Sequence, residues 1–157
     1  MRCSWVTILD GDGDLDVATT AIRANSVRWT ANQGAGMSFG TTYVLSNGLD
    51  RASGISVADL DQDGTPDLIA CGYGSDPNLG LPPNGTILWF RGLGAGSFGL
   101  ERVITDALDR SAFVRAVDLN ADGMPEVASA AWQSGEVVTF TNLMTRPDVI
   151  VRPGECI

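Results

Sequence analysis

Short apolar runs recur along the chain, rich in Val, Ile, Thr and aromatic residues and bounded by Gly, Asn, Asp or Pro. That is strand patterning. No window carries a sustained apolar stripe at helical spacing, so the pattern predicts an all-β chain. The middle of the sequence predicts four strands, near Ile55–Ala58, Asp67–Cys71, Thr86–Arg91 and Leu100–Thr105. A first strand is expected over Trp5–Leu9 and a last one over Pro147–Val151.

Between the first and second strand of each set lies an acidic loop punctuated by glycine. The three copies are Asp10-Gly-Asp-Gly-Asp-Leu-Asp16, Asp59-Leu-Asp-Gln-Asp-Gly-Thr-Pro-Asp67 and Asp118-Leu-Asn-Ala-Asp-Gly-Met-Pro-Glu126. Oxygens at alternate positions, glycine at the sixth and an acid at the ninth suit a hard cation. Calcium takes about 6–8 oxygen ligands, and a tight loop can supply most of them. The glycine is expected where the chain turns sharply and a Cβ would often clash.

The periodicity extends beyond these loops. Gly34-Ala-Gly-Met-Ser-Phe-Gly40 recurs as Gly94-Ala-Gly-Ser-Phe-Gly99, and Leu-Asp50-Arg51 recurs as Leu-Asp109-Arg110. Trp29 and Trp89 occupy matching apolar runs, where the third copy has Glu136-Val-Val-Thr-Phe140. The longer second unit carries an insertion between Gly74 and Gly85 that includes Pro82-Pro83. Four strands per unit at this period predict a β-propeller blade. A long β-sandwich would leave the placement of the acidic loops unexplained.

These residues resemble the FG-GAP and VCBS-type repeats found in integrin α-subunit heads, fungal lectins and many secreted bacterial proteins. The resemblance runs from about Val6 to Leu143. It implies propeller blades with calcium in each loop. The expected domain is a single repeat unit over 1–157, with blade 1 at 5–47, blade 2 at 48–106 and an incomplete blade 3 at 107–151. Three blades fall short of the usual 4–8 of a closed ring. The expectation is therefore an arc, completed by further blades of a longer chain or by a second copy in a homodimer.

The middle loop is complete. Its expected ligands are the side chains of Asp59, Asp61, Asp63 and Asp67 and the carbonyl of Thr65, with Asp67 best placed to bind through both oxygens. The third loop supplies Asp118, Asn120, Asp122, the carbonyl of Met124, and Glu126. Asn120 removes a charge, so weaker binding is expected. The first loop, aligned on Gly13, supplies Asp10, Asp12, the carbonyl of Asp14, and Asp16. Its first ligand position is Ile8, which cannot coordinate. Sliding the register by two puts Leu15 at the glycine and Ala18 at the last ligand, which is worse. The plainer reading of all three is polar hairpin turns built on Asp and Gly.

Charge changes the picture. The chain has 19 acids against 10 bases, for a net charge of −9. The loops hold four, four and three of those acids, so the remainder is slightly basic. Three divalent ions would bring the charge to about −3, and unloaded loops should repel themselves, coupling metal binding to folding. The acidity argues against a nucleic-acid partner. The sequence has no histidine and no lysine. That removes histidine-based nucleophilic triads, His-ligated zinc and Schiff-base chemistry. Repeated acids without a reactive partner read as structural and not catalytic, so no catalytic residue is assigned. No apolar run reaches membrane-spanning length and no secretory signal pattern is present. Either the chain is a mature or excised segment, or it stays inside the cell; the resemblance implies an extracellular or cell-surface location.

Three cysteines, Cys3, Cys71 and Cys156, form no metal-spaced cluster. Cys71 is expected in the core. Cys3 and Cys156 lie at opposite ends of the chain, where a bridge would clasp them. Trp29 and Trp89 are expected between neighbouring sheets, and burial is also the first expectation for Trp132. The expected function is a non-enzymatic calcium-binding module for adhesion or for recognition of a protein or glycan. The alternatives are a propeller fragment of a polysaccharide-acting enzyme and a structural spacer.

Overall fold

The computed structural model describes residues 2–34, 38–75, 84–143 and 151–153. Among these the chain is all-β apart from one 3-10 turn, Ile22–Ala24. Three four-stranded antiparallel sheets follow one another along the sequence, with a two-stranded ribbon beside the middle one. The first sheet is β1 (Arg2–Thr7), β2 (Asp16–Ala21), β3 (Ser26–Asn32) and β4 (Phe39–Ser46), in that order. The middle sheet is β5 (Ala52–Ala58), β6 (Asp67–Gly72), β7 (Gly85–Phe90) and β10 (Arg102–Leu108). Between β7 and β10 the chain makes the ribbon β8 (Gly92–Gly94) and β9 (Ser97–Phe98). The third sheet is β11 (Ser111–Val117), β12 (Glu126–Ala131), β13 (Glu136–Asn142) and β14 (Val151–Pro153).

Several expected strand limits move. The first strand begins at Arg2 and ends at Thr7. Leu9 is lost to it because Leu9 N–H donates to the buried Asp16 carboxylate at 2.8 Å. The fourth strand of the middle sheet runs Arg102–Leu108 and not from Leu100, because the ribbon ends at Phe98 and Gly99–Glu101 lead from it to the strand without pairing in the ladder. The last strand is Val151–Pro153, paired with β13 through Phe140 and Pro153; residues 147–150 lie outside the described residues.

Packing explains why the strands read differently. In β6 every residue is buried, whereas β2 alternates buried and half-buried positions. Leu68, Ala70, Leu88 and Phe90 face the first sheet, meeting Ala18, Val27 and Trp29. Their neighbours Ile69, Cys71, Ile87 and Trp89 face the third, meeting Val114, Val127 and Phe140. The middle sheet is thus apolar on both faces, which is why its strands are near-continuous apolar runs. Trp29 and Trp89 each fill the gap to the following sheet, as expected. The register places Thr139 opposite Ala128 where Trp89 stands opposite Ile69. Among the described residues no sheet lies beyond the third, and its aromatic position is a threonine.

The strands β1, β5 and β11 lie side by side. Ser53 Oγ donates to Ser111 O at 3.0 Å, and Ala116 N–H to Ser56 Oγ at 3.2 Å. Small residues permit this approach: a Cβ on Gly54 would lie 2.8 Å from Cys71 Sγ and 3.2 Å from Phe113 Cα. Cys71 is buried, as the sequence suggested. The Cys3 and Cys156 pairing lies outside the described side chains. Trp132 departs from its expected burial. It is 67% exposed, edge-on to Tyr73 with ring centroids 6.2 Å apart.

Candidate metal loops

Each acidic stretch forms the connection between the first and second strand of its sheet. Backbone conformation places the three in one register. Gly64 and Gly123 adopt φ of +87° and +88°, and Gly13 adopts +97°. Two residues earlier, Gln62, Ala121 and Gly11 are also left-handed. The first loop is therefore aligned on Gly13. A Cβ at Gly13 or Gly64 would meet nothing within 4 Å. The glycine is needed for its left-handed backbone and not for space, which corrects the expected reason.

In the middle loop Asp59, Asp61 and Asp67 each present a carboxylate oxygen within 4.8 Å of the others. Among the described residues this is the one group of three or more potential ligands so gathered. Backbone N–H groups shape it. Asp59 accepts from Asp63 at 3.1 Å and Gly64 at 2.9 Å, and Asp63 accepts from Thr65 at 2.8 Å. Asp61 is 1% exposed at its side chain, and its Oδ2 accepts no hydrogen bond. Three carboxylates gathered so closely, one of them almost fully buried, are a donor set that fits a hard dication.

The ninth-position acids do something the sequence did not disclose. Asp67 is fully buried; its Oδ2 accepts Leu60 N–H at 2.9 Å and its Oδ1 accepts Gly92 N–H at 2.7 Å. Asp16 repeats this with Leu9 at 2.8 Å and Asn32 at 2.8 Å. Glu126 accepts Leu119 N–H at 2.8 Å. Each acid ties the start of its loop to the body of its sheet. Carboxylate oxygens carry spare lone pairs, so this role leaves coordination open. Desolvation raises the Asp67 carboxyl to about 6, despite the two N–H donors that favour its charge.

A basic residue missed in the sequence completes the middle loop. Arg91, directly after β7, places Nε 2.5 Å from Asp61 Oδ2 and Nη2 2.9 Å from Asp63 Oδ2. The first is a charge contact and not an aligned hydrogen bond. Desolvation of Asp63 is outweighed by Thr65 and Arg91, which hold its carboxyl below the usual range. The only advance signal was a lone arginine at the end of a strand, which does not specify contact with a loop 28 residues away.

The third loop gathers its residues differently. Asn120 Nδ2 donates to Asp122 Oδ2 at 2.9 Å and approaches Glu126 Oε1 at 3.4 Å. Asp118 accepts Gly123 N–H at 2.9 Å, and Met124 N–H donates to Asp122 at 2.8 Å. In the first loop Asp12 N–H donates to Asp10 at 3.1 Å and Asp14 N–H to Asp12 at 2.8 Å. The Asp12 N–H lowers the Asp10 carboxyl, but desolvation and the Asp16 and Asp12 charges outweigh it and leave it raised. Ile8 is 38% exposed at the missing ligand position. Neighbouring loops are tied together: Gln62 donates to Gly123 O at 2.5 Å, and Asn142 donates to Leu60 O at 2.8 Å and Pro125 O at 3.1 Å.

No curated protein matches the chain. The sequence model of the FG-GAP-like repeat matches residues 9–70, which span the first acidic loop, the rest of the first sheet, β5, the middle loop and the first part of β6. The resemblance read from the loops is thereby shown over that stretch: residues 9–70 are similar to the FG-GAP-like repeat.

Proposed function

We propose that this chain is a non-enzymatic, calcium-stabilised segment of a β-propeller whose task is adhesion or the recognition of a protein or glycan outside the cell. The observation that carries the reading is the convergence of the Asp59, Asp61 and Asp67 carboxylates in a loop that recurs in register three times. Calcium there supplies a dipositive charge that neutralises the carboxylates and cross-links the loop. Asp59, Asp61, Asp63 and Asp67 with the Thr65 carbonyl hold it in the middle loop. Asp118, Asn120, Asp122, Glu126 and the Met124 carbonyl hold it in the third. The first loop, through Asp10, Asp12, Asp16 and the Asp14 carbonyl, binds more weakly because Ile8 contributes no oxygen. Further blades, from a longer chain or a second copy, close the ring.

In this reading the scaffold serves binding and not turnover. Calcium titration followed by mass measurement and thermal melting tests the reading. The expected result is two well-held ions, a third weak one, and a melting temperature that rises with calcium. An unchanged mass and an unchanged melting curve at millimolar calcium would refute it.

A further inference from the structure

We infer that Arg91 is an internal counter-cation that competes with calcium for the middle loop and sets the affinity of that loop. This rests on the calcium reading above and adds a residue to it.

Two of the expected ligands are engaged by one guanidinium. Nε lies against Asp61 Oδ2 and Nη2 against Asp63 Oδ2, at 2.5 and 2.9 Å. A dication held by the same carboxylates would stand within about 5 Å of the guanidinium, where like charges repel strongly. The two cations are therefore alternatives, and calcium entry requires Arg91 to swing away. The side chain is free to do so, being 30% exposed.

The backbone that carries Arg91 is fixed. Gly92 N–H is held by Asp67, and Gly99 N–H donates to Arg91 O at 2.8 Å. A Cβ at Gly92 would lie against Pro66 O, so the strand end is pressed onto the loop. Only the side chain has to move.

The other two loops provide internal controls. The register pairs Val17 with Thr30, Leu68 with Phe90 and Val127 with Phe140. The next residue is Ala31 in the first sheet, Arg91 in the middle and Thr141 in the third. Arginine stands only in the loop whose four side-chain ligand positions are all aspartate. Without calcium it offsets their repulsion and holds the loop near its liganded shape.

The test compares wild type with Arg91→Ala and the volume-preserving Arg91→Met by calorimetric calcium titration, with Asp59→Ala identifying the middle-loop event. Both arginine variants should bind calcium at that loop about tenfold more tightly, since two charge-assisted contacts no longer have to be broken. In chelator the same variants should melt below wild type, and at saturating calcium the deficit should vanish. A packing role would lower melting in both conditions. Conversely, Thr141→Arg should weaken the third loop. Calcium binding that is equal or weaker in both Arg91 variants overturns the inference alone. Absence of binding in every protein, wild type included, overturns the calcium reading and the inference with it.

Discussion

Asp67 Oδ1 accepts the N–H of Gly92 at 2.7 Å while its Oδ2 accepts that of Leu60 at 2.9 Å, so one buried carboxylate joins three segments of the middle sheet. Asp16 makes the same two connections to Asn32 and Leu9. The acid that ends each loop is thus a strut whether or not a cation is present. Its burial costs free energy, and the N–H donors offset part of that cost.

Asp16→Ala should destabilise the calcium-free protein, because it leaves the buried N–H of Leu9 and the half-buried N–H of Asn32 without an acceptor. The expected loss is about 2–4 kcal/mol in urea unfolding, the scale for buried donors deprived of a charged partner. A loss below about 0.5 kcal/mol, the size of an ordinary surface change, would show that the strut is dispensable.

The raised Asp67 carboxyl gives a pH dependence of defined sign. Its folded value of about 6 lies above the ordinary 3.8, so the native state binds more protons than the unfolded state between them. Stability from this group therefore falls as pH rises through that window. In chelator, the melting difference between wild type and Asp67→Asn should shift against wild type from pH 4 to pH 6.5. Parallel melting curves over that range would show that burial does not govern this group. Calcium at neutral pH should remove the effect by favouring the charged form.

Gly64→Ala separates conformation from space. The position has φ of +87° and open surroundings, so the substitution meets no steric neighbour yet forces a left-handed backbone on alanine. The expected cost is about 1–2 kcal/mol. Gly123→Ala should cost a similar amount. A neutral result in urea unfolding at both positions would contradict the backbone argument.

The repeat unit, the four-strand sheets and the register of the loops were all legible, because apolar runs, turn residues and alternating acids are local signals. Long-range contacts were not. Arg91 meets Asp63 across 28 positions, and Gly92 meets Asp67 across 25. The Gly92–Gly94 and Ser97–Phe98 ribbon was also hidden: its glycine-rich sequence read as a repeat marker and not as strands. Trp132 shows the limit of a burial default. An aromatic at the end of a strand is covered only if another element crosses it, and Trp132 stays 67% exposed beside Tyr73.

One legible signal was stronger than it looked. Val17 and Leu68 hold the same place in their sheets, each one residue after the strut acid. Leu68 is fully buried against the first sheet, whereas Val17 looks away from the middle sheet and is half-buried. Position along the array, not local propensity, decides which of the two carries stability. Leu68→Ala should therefore cost about 2–5 kcal/mol, the range for emptying a packed core site. Val17→Ala, on the open face, should cost less than about 1 kcal/mol, since little apolar surface leaves the core. Urea unfolding of the two variants in calcium buffer checks this. Equal losses at both sites would mean that the open face of the first sheet is covered in solution, and a concentration-dependent melting temperature would then identify the cover as a second chain.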